Sequence, residues 1–335
     1  LEREDHGHHI RYHFKKASLM SDSLTSVIEY TGSTGSSRRR IFWFFAIRLI
    51  QRLIFTIVLL LGVIFFVALA ISLAGQGGIR GLTEATPTAL KITYQFLEDT
   101  FTGRLEGVEE LQRALPKSLG LLLASLFLGT ILGILLGGIA ALYRKSHLST
   151  IIINGSIIGI STPSYVAAMF LIWTVVWIYQ QSGVRILPIF GFGWDLRMIM
   201  PTLVLATRPM ANITRLTYTA LKDVYEADYV RTAYSKGLRP RIVFLRHVLK
   251  NAGVPILTIA SVSFRFSLSM LPIVEFIFTW IGIGYVLIEA SQVGDFPTVV
   301  LMIIPFVILY VLATILLDFL YPLIDPRLLH AKGAE

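Results

Sequence analysis

Six stretches of this chain are apolar over lengths that suit a lipid solvent and little else. They lie near residues 43–74, 115–142, 150–180, 198–221, 252–281 and 297–323. A helix rises 1.5 Å per residue, so about 20 residues cross the roughly 30 Å of bilayer hydrocarbon. Every one of the six is long enough. A soluble fold would have to bury several helices that are apolar all round. The composition agrees: 54% of residues are hydrophobic, only 15% are charged, and the mean hydropathy is +0.69. Soluble globular chains run at about 45–50% and about 25% respectively. The chain is read as an all-α polytopic membrane protein with about six transmembrane helices.

The loops orient the spans. Arg38, Arg39, Arg40, Arg48 and Arg52 flank the first segment. Arg144, Lys145 and His147 follow the second, and a basic stretch from Lys222 to Lys250 follows the fourth. Arg327 and Lys332 close the tail. With one crossing per segment, all four places fall on the same side. The alternate loops carry fewer cations, and the first of them, near 75–114, holds Glu84, Glu98, Asp99, Glu106, Glu109 and Glu110. Lys and Arg accumulate on the cytoplasmic side, so both termini are placed in the cytoplasm. The net charge of +9 is accounted for by these loops, and no nucleic-acid partner is expected.

Residues 1–40 are polar and are read as a disordered cytoplasmic extension. No carboxylate or Cys completes a recognisable ligand spacing with His6, His8, His9 and His13, so a solvated tail is expected rather than a metal site. The first apolar run is too long for a signal-peptide core and is expected to remain as an anchor. The remaining organisation is a first helix and extracytoplasmic loop over 41–114, a core over 115–325 and a cytoplasmic tail over 326–335. There are no cysteines, which removes disulfides, thiolate metal sites and Cys nucleophiles from consideration. No Ser/His/Asp arrangement appears, and no Gly-x4-Gly-Lys-Ser/Thr phosphate loop. The chain is expected to be non-catalytic, with no cofactor or metal of its own.

The loop over 222–251 carries the most information. It is far longer than a plain helix connection of about 2–8 residues, and it is patterned. Asp223 to Lys236 reads as one helix, with Asp223, Glu226 and Asp228 early and Arg231 and Lys236 late, an order that suits the helix dipole. Gly237 stops it. Pro240 opens a second, amphipathic helix with Ile242, Val243, Leu245, Val248 and Leu249 on its apolar face. A helix–Gly–helix elbow of this kind suits docking into a groove on another protein. A membrane-surface element is the alternative, with lipid as the partner.

The stretch DYVRTAYSKGL followed by RHVLKNAGVP resembles the cytoplasmic signature loop of permeases of binding-protein-dependent ABC importers, in the dipeptide/oligopeptide/nickel branch. LPKSLGLLLASLFLGTILGILLGGIAALYRKS, STPSYVAAM, ILPIFG, MPTLVLATRPMANITRLTYTALKDV, VEFIFTWIGIGYVLIEASQVGDFPTVV and LLDFLYPLIDPRL fall in the family's order. Two departures stand out. The usual Gly-Asp-Pro after the first helix is replaced by Ala74-Gly75-Gln76-Gly77-Gly78, and the outside loop to about Arg113 diverges. The resemblance implies a type I importer transmembrane domain in a bacterial or archaeal inner membrane. It implies a second homologous permease, two cytoplasmic ATPases that use ATP and Mg, and an extracytoplasmic solute-binding protein. It assigns coupling to the ATPases to Glu226, Asp228, Tyr229, Arg231, Thr232, Ala233, Lys236, Gly237 and Leu238. A small solute, peptide-like, is the expected cargo.

Arg208 and Arg265 fall within the fourth and fifth segments, where a charge facing lipid is costly. Either they line the translocation path with Ser261 and Ser269, favouring an anionic solute, or each pairs with an acid. Gly129, Gly133 and Gly137 recur every fourth residue, as close helix packing requires. Glu275 and Asp318 lie near helix ends with no role legible from sequence. A secondary transporter is the competing reading. It would need intramembrane acids for a coupling ion near broken helices, and such acids are scarce here.

Overall fold

A computed structural model describes residues 34–75, 82–103, 107–237, 240–243 and 249–324. Most of the N-terminal extension, Leu238, His247 and the C-terminal tail lie outside the described residues. The chain divides into two units, residues 1–57 and 58–335. In the first, the described residues form the beginning of helix α1 (Thr34–Gly75), where Ile50, Leu53, Ile54, Phe55 and Ile57 are all exposed.

The second unit holds the rest of α1, followed by α2 (Leu82–Thr102), α3 (Val108–Leu142), α4 (His147–Ser161), α5 (Ser164–Ser182) and α6 (Ile199–Glu226). Then come α7 (Asp228–Ser235), α8 (Pro240–Val243), α9 (Leu249–Ile277), α10 (Ile283–Val293) and α11 (Phe296–Ile324). No strand occurs among the described residues. Three segments are individually long and apolar enough to span: Ile50–Leu73, Val108–Leu142 and Phe296–Leu316. At 28 and 29 residues, α6 and α9 reach about 42 Å, enough to cross hydrocarbon.

The third segment, read from its apolar run as a single span, is not one continuous helix. It is two helices, α4 and α5, set at 110° to one another. Thr162 and Pro163 adopt extended dihedrals (ψ 122° and 141°). A residue before proline is driven out of the helical region by the ring's Cδ, and proline gives the next helix a start with no N–H to satisfy. The sequence shows one apolar run because hydropathy records burial and not direction.

The outside loop also holds more structure than expected. Its middle is the 21-residue helix α2. Ala89 and Phe96 of α2 are buried with Ile64 and Ala68 of α1 and Phe296 and Val300 of α11. Phe96 and Phe296 meet edge to face at 6.0 Å.

The core is built on α3 lying along α6, with α9 packed against both of them. Ridges on α6 fill a groove on α3 that glycine leaves open. A Cβ on Gly133 would stand 2.7 Å from Ile213 Cβ, and one on Gly137 would stand 2.5 Å from the Thr214 carbonyl and 2.6 Å from Thr217 Cβ. Gly138, one residue on, has open space. Gly137→Val therefore forces the two helices apart and is expected to cost at least ~1–3 kcal/mol. Thermal unfolding of the purified subunit in detergent checks this, with Gly138→Val unfolding close to the wild-type temperature.

Outward faces are strongly apolar. Leu123, Phe127 and Leu135 on α3, and Phe170, Trp173 and Trp177 on α5, are half or more exposed. A soluble protein avoids contiguous apolar surface of this extent; lipid or a partner helix accepts it.

Candidate functional site

Three features of the bundle bear on function: the surface elbow, an outer knot around Glu275 and the arginines of α6 and α9.

The elbow begins where α6 ends. The sequence suggests one helix from Asp223 to Lys236; instead α6 continues through Asp223 to Glu226 and breaks at Ala227, which is extended (φ −70°, ψ 141°). Asp223 and Glu226 thus belong to the end of α6, and α7 starts afresh at Asp228. An acid suits the first turn of α7. The α7 helix closes at Lys236, whose N–H donates to the Thr232 carbonyl at 3.1 Å, and Gly237 then takes a left-handed φ of 74°. The expected second helix is present as the short α8; residues 244–248 lie outside the described residues, and α9 is already helical at Leu249.

One side of the elbow is packed and the other is open. Val230 of α7 and Val243 of α8 are fully buried, in a cluster with Leu221 of α6 and Ala141 of α3. Tyr218, Val224 and Tyr225 pack around it. Arg144 lies 5.4 Å from the Tyr225 ring. The open side carries Asp228, Tyr229, Thr232, Lys236 and Gly237. Of the residues the sequence assigns to coupling, Arg231 and Ala233 lie within α7, but their side chains, like the whole of Leu238, fall outside the described residues. The elbow is thus a surface element held from beneath by aliphatic packing.

At the other end of α3, about 35 Å away along its axis, sits a buried polar knot that the sequence did not disclose. Glu275, near the end of α9, is fully buried. Its Oε1 accepts from the Ser118 hydroxyl of α3. Its Oε2 accepts from the N–H groups of Gly284 at 2.7 Å and Tyr285 at 3.1 Å. Ser118 Oγ in turn accepts from Ile283 N–H at 2.8 Å. These are the orphan donors at the start of α10, whose N-cap Gly282 has no side chain to offer them. A Cβ on Gly282 would collide with Glu275 and Ser118. The chain turns between α9 and α10 through Thr279, at φ 54°. Trp280 closes the knot: its N–H donates to the Glu275 carbonyl at 2.8 Å, and its indole N–H to the Lys117 carbonyl at 3.1 Å. Phe192, Trp194 and Trp280 form an edge-to-face trio with centroids 4.8–5.8 Å apart.

Arg208, on α6, places its guanidinium 4.0 Å over the ring of Phe266 on α9. Arg265, the neighbour of Phe266, lies 5.9 Å from the ring of Tyr310 on α11. Among the described residues neither arginine has a carboxylate within ion-pair distance, in contrast to Arg113 with Glu109 and Arg197 with Asp195. The aromatic faces supply partial stabilisation of about 0.5–2 kcal/mol each. Ser269 is exposed, and its hydroxyl donates to the Arg265 carbonyl at 3.0 Å. The side chain of Ser261 is outside the described residues.

Membrane-length helices with broad apolar exteriors, a well-seated surface elbow and cations set among aromatic rings define the membrane domain of a transport protein. The family described as the inner membrane component of binding-protein-dependent transport systems matches residues 133–330, and the chain belongs to that family. Its fold is the type I importer membrane domain. A dipeptide transport system permease protein of Bacillus subtilis is 33% identical over 226 residues, covering 67% of this chain and 71% of that protein. A di/tripeptide transport system permease protein of Pseudomonas aeruginosa is 34% identical over 260 residues, covering 70% and 77%. A glutathione transport system permease protein of Pectobacterium atrosepticum is 30% identical over 210 residues, covering 62% and 66%. The elbow falls inside the matched region, and α1 and α2 precede it.

Proposed function

We propose that this chain is one of two permease subunits of an ATP-driven importer, and that its elbow is the element through which cytoplasmic ATPases move it. An extracytoplasmic binding protein delivers the solute, which is peptide-like in keeping with the names of the relatives. The chain itself is non-catalytic; ATP and Mg act in the partner subunits.

The observation that carries this reading is the seating of α7 and α8. Burial of Val230 and Val243 makes the elbow continuous with α3 and α6, so a push on Tyr229, Thr232 or Lys236 is delivered to the bundle. Helix α6 carries that push inward. About 27 Å of helix separate the elbow from Arg208; that stretch packs against α3 through Ile213, Thr214 and Thr217, and α6 as a whole also packs against α9. Packed interfaces respond to a push by switching arrangement, which turns a domain closure into a helix rotation.

Transport in membrane vesicles separates this from secondary transport. With the binding protein supplied, uptake of labelled dialanine is expected to stop when ATP is depleted while the ion gradients are held. Uptake that persists under those conditions identifies a gradient-driven carrier.

A further inference from the structure

The open face of α9 is a continuous stripe. Val262, Arg265, Phe266, Ser269, Ile273 and Phe276 are spaced i, i+3, i+4, i+7, i+11 and i+14 and are exposed or half-buried. The opposite face, with Ser263, Ser267, Leu271 and Val274, is buried. Arg208 reaches this stripe from α6, and Tyr310 reaches it from α11. The stripe therefore gathers two guanidiniums among aromatic rings. The acid of α9 closest to it along the helix, Glu275, is turned into the knot and fully buried.

A face with two cations and no anion of its own is a poor surface for lipid, because a charge at mid-membrane costs several kcal/mol. An aromatic face attracts a guanidinium through its π cloud but leaves the in-plane N–H donors unused. Those donors form a planar fork that matches a carboxylate. Resting on the permease reading above, we propose that this stripe is a wall of the translocation path and that Arg208 and Arg265 receive an anionic group of the solute, a carboxylate. The site favours solutes with a free carboxylate over amidated or cationic analogues. The aromatic rings keep the contact shallow, so the anion is held in passage and released.

The chain has no cysteine, so Ser269→Cys places a single thiol on the stripe. The full transporter carrying it is treated in proteoliposomes with 2-carboxyethyl methanethiosulfonate and, separately, with the trimethylammonium-ethyl analogue. The thiol is expected to react with both, and the ratio of carboxylate to cation rates is expected to fall several-fold when Arg265, one helical turn from the thiol, is replaced by Gln. Arg208→Gln lowers the ratio in the same direction, and Arg265→Lys retains most of it. A thiol that reacts with neither reagent means that the stripe is not in a water-filled path, which overturns the path reading and this inference with it. A thiol that reacts with both, at a ratio unchanged by Arg208→Gln and Arg265→Gln, leaves the path reading standing and overturns the carboxylate assignment alone.

Discussion

Replacing Gly237 by proline is expected to slow solute uptake at least about tenfold while the complex still assembles and hydrolyses ATP. Gly237 terminates α7 at φ 74°. A proline ring fixes φ near −65° and cannot enter that region, so the chain must leave its course after Lys236. A side chain at Gly237 meets nothing within 4 Å; the defect is one of direction, not of crowding. Gly237→Ala separates the two causes. Alanine reaches the left-handed region at a cost of roughly 1–2 kcal/mol and is expected to leave partial uptake. In proteoliposomes the proline variant should transport at least about tenfold more slowly than wild type, the change that 1.4 kcal/mol gives in a rate, with ATPase activity no longer tied to solute. Wild-type uptake by the proline variant would mean that the elbow's geometry carries no coupling.

Glu275→Ala is expected to be the most destabilising single change on the outer side. The carboxylate accepts one hydroxyl and two backbone N–H groups in a fully buried position. Removing it strands the start of α10 and leaves Ser118 without its acceptor. An unsatisfied buried donor costs about 1–3 kcal/mol, so a total on the order of 3–5 kcal/mol follows. Glu275→Gln keeps the shape but can turn an amide toward donors, and it should fall between alanine and wild type. Thermal unfolding of the purified subunit in detergent reads both. A Glu275→Ala protein that unfolds with wild type would show that α10 is held by packing alone.

The two variants act at opposite ends of α3, and they differ in how far the sequence foretold them. The elbow was legible because its signals are local. Gly237 at a helix end and Pro240 at a helix start announce themselves to their neighbours. The break at Ala227 was not, because nothing in KDVYEAD marks the end of one helix and the start of the next. The long spans were legible because lipid demands unbroken apolar runs. Helix α2 was not, because it buries little more than Ala85, Ala89 and Phe96, and a stripe so thin leaves no run. Glu275 stood out in the sequence only as an acid near a helix end. Its partner Ser118 lies 157 residues away, and such a pairing exists only in the folded bundle. The arginines were visible as anomalies, but their aromatic neighbours Phe266 and Tyr310 look like ordinary span residues until α6, α9 and α11 are laid side by side.

A cysteine at Thr232, on the open side of α7 in an otherwise cysteine-free chain, gives the most direct measurement. With a thiol-to-amine crosslinker on isolated membranes, the account predicts an adduct with a nucleotide-hydrolysing subunit, its yield differing between ATP-bound and nucleotide-free states. Labelling of that cysteine by an impermeant reagent from outside intact cells, with no such adduct formed, would contradict it.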